Sequence, residues 1–202
     1  MKTECIKDIM KLKFGAKEEY SKSDFDEITE LTINRFDITR EIIPVDFREL
    51  LYFHNIKSLT IKECIIDKHV MDIILNLNNL NNLYLDDCEV VDDISSFFEN
   101  IKLDTLVINK INFDLSELEK VNANNLYLYN VNLNKDISFN VIKLDISNCI
   151  VEENININCI GIETLVIATE MYKNIDKELN DFKGHLIVKE DNGQYIKEER
   201  DV

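Results

Sequence analysis

Ile28-Thr29-Glu30-Leu31-Thr32-Ile33-Asn34-Arg35-Phe36-Asp37-Ile38 sets apolar residues at its first, fourth, sixth, ninth and eleventh places, and the same string returns along the chain. It comes back as Ile56, Leu59, Ile61, Cys64 and Ile66, as Leu80, Leu83, Leu85, Cys88 and Val90, and as Leu103, Leu106, Ile108, Ile111 and Phe113. Two further copies are Ala123, Leu126, Leu128, Val131, Leu133 and Val141, Leu144, Ile146, Cys149, Val151. A seventh runs through Ile162, Leu165, Ile167 and Tyr172 with Glu170 where an apolar or amide residue belongs, and an eighth is reduced to Leu186 and Val188. Inside each copy the two apolar residues that flank a single position fall on one face of a short strand, because side chains alternate along extended chain. The other apolar positions cover that face as the chain turns away. One such unit cannot enclose its own core, so neighbours must stack.

The spacing resembles the leucine-rich repeat pattern L-x-x-L-x-L-x-x-N/C-x-L from about residue 28 to residue 188. The resemblance implies an α/β repeat solenoid, a curved parallel β-sheet with strands at Leu31–Ile33, Leu59–Ile61, Leu83–Leu85, Leu106–Ile108, Leu126–Leu128, Leu144–Ile146 and Leu165–Ile167. It divides the chain into an N-terminal helical cap over 1–27, a solenoid of about seven to eight repeats over 28–188, and a polar C-terminal tail over 189–202, all one domain. Ile6, Ile9, Met10 and Phe14 stand at helical spacing, and Ser23-Asp24-Phe25-Asp26 reads as a helix start with its capping side chain. With Lys7-Asp8-Ile9, Gly15 and Ile28-Thr29-Glu30-Leu31, this opening is similar to the helical cap of internalin-like bacterial repeats.

The steps between equivalent leucines shorten from 28 residues, Leu31 to Leu59, to 18, Leu126 to Leu144, and then return to 21. The long early steps leave room for helices on the outer face over Glu41–Phe53 and Asp67–Leu77, with a shorter one over Asp92–Ile101. Later steps are too short for helix and turns together, and Ile155, Ile157 and Cys159 alternate, which predicts extended or irregular outer segments. Lys173–Phe182 reads as a closing helix, and Lys189–Val202 is polar enough to fray.

An excess of 39 acidic over 23 basic residues, a net charge of -16, disfavours nucleic acid and anionic membrane as partners and favours a basic protein. The 45% apolar content suits a continuous core. The first fourteen residues lack the uninterrupted apolar run of a secretory signal, and no stretch is long and apolar enough to span a bilayer, so the expected compartment is the cytoplasm. Five cysteines agree with a reducing environment, and Cys64, Cys88 and Cys149 hold the inward place of their repeats. No metal site is expected: there is no C-x-x-C pair, and Asp86-Asp87-x-Glu89 lacks the glycine and the oxygen spacing of a calcium loop. His54, His69 and His185 form no pair, no phosphate loop is present, and neither a cofactor nor an enzymatic activity is expected.

The residue between each pair of strand leucines points away from the core, toward the concave side. That central row reads Thr32, Thr60, Tyr84, Val107, Tyr127, Asp145, Val166, Ile187, and the next row reads Asn34, Lys62, Asp86, Asn109, Tyr129, Ser147, Ala168, Lys189. Tyr84, Val107, Tyr127 and Tyr129 with Asp86, Asp87 and Asp145 therefore form the expected protein-binding surface, an aromatic centre with an acidic rim. The leading expectation is a non-catalytic interaction module for another protein. A cytoplasmic inhibitor or immunity protein acting on a toxin or enzyme is one alternative. A structural or assembly subunit is another, which leaves a homo-oligomer open.

Overall fold

The computed structural model describes residues 4–17, 19–35, 46–111, 114–151, 155–175, 179, 182–190 and 194–200. Two helices open the chain, α1 over Glu4–Phe14 and α2 over Lys22–Asp26. Ser21, not Ser23, caps α2: its hydroxyl accepts from the Asp24 N–H while the Asp24 carboxylate accepts from the Ser21 N–H, a reciprocal capping box. The sequence carries that signal at Ser21-x-x-Asp24, two residues ahead of the expected start at Ser23. Met10 and Phe25 from these helices are buried, with the Phe25 ring against those of Tyr52 and Phe53.

The strands follow as β1 (Glu30–Asn34), β2 (Ser58–Lys62), β3 (Ile65–Ile66), β4 (Asn82–Asp86), β5 (Glu89–Val90), β6 (Leu103–Asn109), β7 (Ala123–Leu133), β8 (Ile137–Ser138), β9 (Lys143–Val151), β10 (Ile157–Asn158), β11 (Thr164–Ala168), β12 (Gly184–Lys189) and β13 (Tyr195–Arg200). Nine of them form one mostly parallel, curved sheet in the order β1-β2-β4-β6-β7-β9-β11-β12-β13. All seven expected strand centres lie in it, every neighbouring pair among these seven is parallel, and their leucines are in register with one another and with Leu186 of β12: Leu31, Leu59, Leu83, Leu106, Leu126, Leu144, Leu165 and Leu186 face one another in turn. Each of these except Leu31 has no exposed surface, so the row forms the spine of the core.

At the rim where the chain leaves the sheet, Glu63, Asp87, Lys110 and Asn130 share a positive φ of 52–54°. The first three donate their N–H to the carbonyls of Asp86, Asn109 and Tyr129, extending the ladder by one rung beyond the strands. A left-handed residue turns the chain sharply, which drops Cys64, Cys88, Ile111 and Val131 back into the core. Cys64 donates its thiol to the Lys62 carbonyl and Cys88 to those of Ile61 and Asp86.

On the far side, α3 (Lys68–Leu75) and α4 (Ser95–Asn100) occupy the segments expected to be helical. Residues 47–52 form a 3₁₀ turn, and the first part of the expected Glu41–Phe53 helix lies outside the described residues. A second 3₁₀ turn spans Leu115–Leu118, and the later segments shrink to the two-residue strands β8 and β10, as their length requires. Aspartates start these outer turns: Asp46, Asp67, Asp93 and Asp114 accept from the N–H groups of Arg48, Val70, Ser95 and Ser116. Part of the acidity of the chain is therefore capping.

Two elements differ from expectation near the C-terminus. Helix α5 runs over Thr169–Ile175, starting four residues before Lys173, and most of the rest of the expected Lys173–Phe182 helix lies outside the described residues; the seventh copy of the sequence string has lost its inward turn residue, and the chain passes from β11 directly into a helix that buries Met171. The supposed fraying tail instead supplies β13, which pairs antiparallel along the whole of β12, from Gly184 opposite Arg200 to Lys189 opposite Tyr195. Backbone pairing with the last parallel strand satisfies polar chain that has little apolar surface to bury. Among the described residues no helix is long and apolar enough to cross a membrane.

Candidate functional site

The central row is assembled as its spacing requires. Thr32, Thr60, Tyr84, Val107, Tyr127 and Asp145 are successive Cα partners from β1 to β9, and Val166 and Ile187 continue the line. Asp145 is the sole charged member of that row, so the acidity of the molecule lies elsewhere. A groove of about 430 Å³ opens along it, with Thr32, Thr60, Tyr84 and Val107 from the central row and Lys62, Asp86, Asn109 and Tyr129 from the next. Of the seven expected site residues it gathers Tyr84, Asp86, Val107 and Tyr129.

Tyr127 and Asp145 adjoin this groove. The Tyr127 ring lies 6.2 Å from that of Tyr129, and the Lys143 ammonium stands 5.0 Å from the centre of the Tyr127 ring. Tyr129 donates its hydroxyl proton to Asp145 Oδ2 at 3.3 Å, while Asp145 Oδ1 accepts from the N–H and hydroxyl of Ser147. Burial first, and the Asp145 carboxylate next, push the Tyr129 phenol well above its usual value, so it stays a neutral donor.

Asp86 is held from two sides. Asn109 donates to its Oδ1 at 2.6 Å, and the Lys62 ammonium is 3.3 Å from its Oδ2. Asn130 in turn donates to Asn109 Oδ1 at 2.7 Å, so a polar ladder crosses four strands along the edge of the groove. Asp87 stands apart from the others, on the left-handed turn beside Lys110 at 3.6 Å. The expected acidic rim is thus partly neutralised by lysines of its own chain. Lys62 and Asn109 were legible as members of the second row; Lys143 sits one place before the strand leucine, a row the repeat pattern leaves unmarked.

The second row departs from simple alternation at β9. A bulge there sets Asn148, not Ser147, opposite Tyr129, and Ser147 is buried with its N–H and hydroxyl on the Asp145 carboxylate. Cys149 is consequently half-buried, with its thiol donated to the Leu128 carbonyl. Farther on, the face is less open: Val166 is buried, and Lys189 reaches back across Ala168 to Asn148 Oδ1 at 3.4 Å.

His54, His69 and His185 lie apart on a turn, on α3 and on β12, and the described residues hold no group of His, Cys, Asp and Glu that could bind a metal. A second pocket of about 240 Å³, away from these two rows, is lined by Leu51, His54, Asn55, Asn76, Asn78 and Asn79 among others. Asn55, Asn76 and Asn79 each spend their N–H donors on backbone carbonyls, which accounts for their presence there. Compared with known proteins, the chain matches no protein-family model and no curated sequence.

Proposed function

We propose that this chain is a leucine-rich repeat solenoid with an internalin-like helical cap that binds another protein through the concave face of its sheet and catalyses no reaction. The observation that carries this reading is the groove of Tyr84, Val107 and Tyr129 on a rigid floor of in-register strands. Rigid tyrosines on a preformed surface give large contact area at small entropic cost, which is how binding hot spots are built. A net charge of -16 favours a basic partner by steering its approach. An inhibitor or immunity protein for a cytoplasmic toxin or enzyme fits the same surface, and reduced thiols at Cys88, Cys149 and Cys159 suit that compartment.

A second reading, an assembly subunit, is favoured by β13, an outermost strand with Tyr195 62% and Ile196 48% exposed. The two are separated by capture from cell lysate on the wild-type chain and on a Tyr84→Ala/Tyr127→Ala variant, with light scattering on each. Concave binding requires that the variant, still cooperatively folded, lose a partner that the wild type retains, by about 2 kcal/mol or more. Undiminished capture by the variant moves the binding surface elsewhere, and a wild-type dimer supports the subunit reading.

A further inference from the structure

We propose that the partner's anchor in this groove is an arginine side chain, its guanidinium lying over Val107 between the rings of Tyr84 and Tyr127 and its fork directed at the Asp86 carboxylate. The inference rests on the concave face being the docking surface and names what that face selects.

The register fixes the slot. Tyr84, Val107 and Tyr127 are direct neighbours on β4, β6 and β7, so the two tyrosines stand two strand spacings apart, about 10 Å, with the short valine between them. A planar group placed midway lies about 5 Å from each ring, inside the roughly 6 Å reach of a cation–π contact. The ring system already attracts a cation: Lys143, on β9, which borders the strand of Tyr127 on the side away from Val107, holds its ammonium 5.0 Å from the Tyr127 ring centre. The side facing Val107 is the complementary place for a second.

Asp86 supplies the charge. It lines the groove two residues along β4 from Tyr84, and its side chain is 30% exposed. Asn109 occupies Oδ1 at 2.6 Å, which fixes the carboxylate and leaves Oδ2 facing Lys62 at 3.3 Å. The Lys62 side chain is 41% exposed and gives up little by swinging into solvent, since half-exposed ion pairs are weak. A guanidinium offers what that ammonium lacks, a flat face for the tyrosines and parallel N–H donors for one carboxylate. Lys62 therefore acts as an internal placeholder that the arginine displaces.

The displacement yields a test that an apolar anchor would not pass. Acetylated and amidated pentapeptides Ala-Ala-Xaa-Ala-Ala, with Xaa as Arg, Leu or Glu, are titrated into tyrosine-labelled protein and followed by the ring resonances of Tyr84 and Tyr127. The arginine peptide should shift both rings and bind more tightly than the other two. Lys62→Ala should tighten it and Asp86→Asn weaken it, each by about three- to tenfold, the size expected of half-exposed charges. Both variants change surface groups, and unaltered resonances of Tyr129 and of the buried leucines certify their fold. A leucine peptide that binds as well as arginine and ignores Asp86 overturns the cationic anchor but leaves the concave surface as the docking face. Absence of any ring shift overturns the anchor as well. An arginine peptide that perturbs only the outer face, together with full partner capture by the tyrosine variant, overturns the concave reading itself.

Discussion

Tyr129 and Asp145 are joined by a hydrogen bond of 3.3 Å from the phenol to Oδ2, across an irregular strand pair of the sheet. The bulge in β9 lies beside Ser147, whose N–H and hydroxyl both donate to Oδ1 of the carboxylate, while the phenol donates to Oδ2. Two groups that would otherwise compete for water hold each other in place at the end of the groove.

This pair makes the first prediction. The Tyr129 pKa is raised above the usual 10.0, chiefly by burial and then by Asp145. The native state thus keeps a proton that the unfolded chain loses, and the resulting stability is whole below pH 10 and declines as pH climbs above it. In an alkaline titration followed by tyrosine ring-carbon shifts, Tyr129 should ionise above the usual value. Asp145→Asn should bring its midpoint part of the way back, since burial remains. A wild-type Tyr129 midpoint at the ordinary value would contradict the hydrogen bond.

The second concerns the spine. Leu106 has no exposed surface and stands between Leu83 and Leu126 in the register. Leu106→Ala should cost roughly 2–5 kcal/mol in a denaturant titration, the transfer and cavity cost of a buried leucine cut to a methyl. A loss below about 0.5 kcal/mol would place it outside the core.

The third concerns the thiols. Burial pushes Cys149 up to about 12 and Cys159 to about 11, and raises Cys88 as well. Since the thiolate is the reactive form, all three should label slowly at neutral pH until the protein unfolds. Their raised values also mean stability that is complete below pH 9 and drains away as pH rises toward 12. Rapid native labelling of Cys88 would refute its inward placement.

How far the sequence speaks depends on how many copies say the same thing. Strand positions and register rest on a string repeated along the chain, and every centre agrees with the sheet. The groove followed from alternation alone, because Tyr84, Val107 and Tyr129 needed only the register to meet. What escaped were features written once. The bulge at Ser147 depends on an Asp145-x-Ser147 contact that alternation does not encode. The pairing of Asp86 with Lys62 and of Asp87 with Lys110 requires knowing which strands are neighbours. β13 is polar and without period, and its strand state comes from the edge it completes rather than from its own residues.

The fourth prediction follows from the left-handed turns. Lys110 has φ of 53°, where a β-branched side chain is strained most and glycine least. Lys110→Val should therefore be less stable than Lys110→Gly by about 1–2 kcal/mol, although valine is the better strand former. Equal stabilities of the two variants would show that the turn relaxes out of the left-handed region.

The last prediction concerns Gly184, where β12 begins. A Cβ there would lie 2.5 Å from the Glu163 carbonyl oxygen and 3.1 Å from the Phe182 ring. That carbonyl is not free to retreat, because it accepts the His185 N–H at 2.8 Å and so carries the first rung between β11 and β12. Gly184→Ala must either break the rung or push β12 away from β11, at a cost of roughly 1–3 kcal/mol. The damage should be local: hydrogen exchange should quicken at β12 and at β13, which pairs with it, while β2, β4 and β6 keep their protection. Uniform acceleration across the sheet would show instead that β12 unfolds together with the rest, and unchanged exchange would show that the approach of Gly184 to Glu163 is not tight.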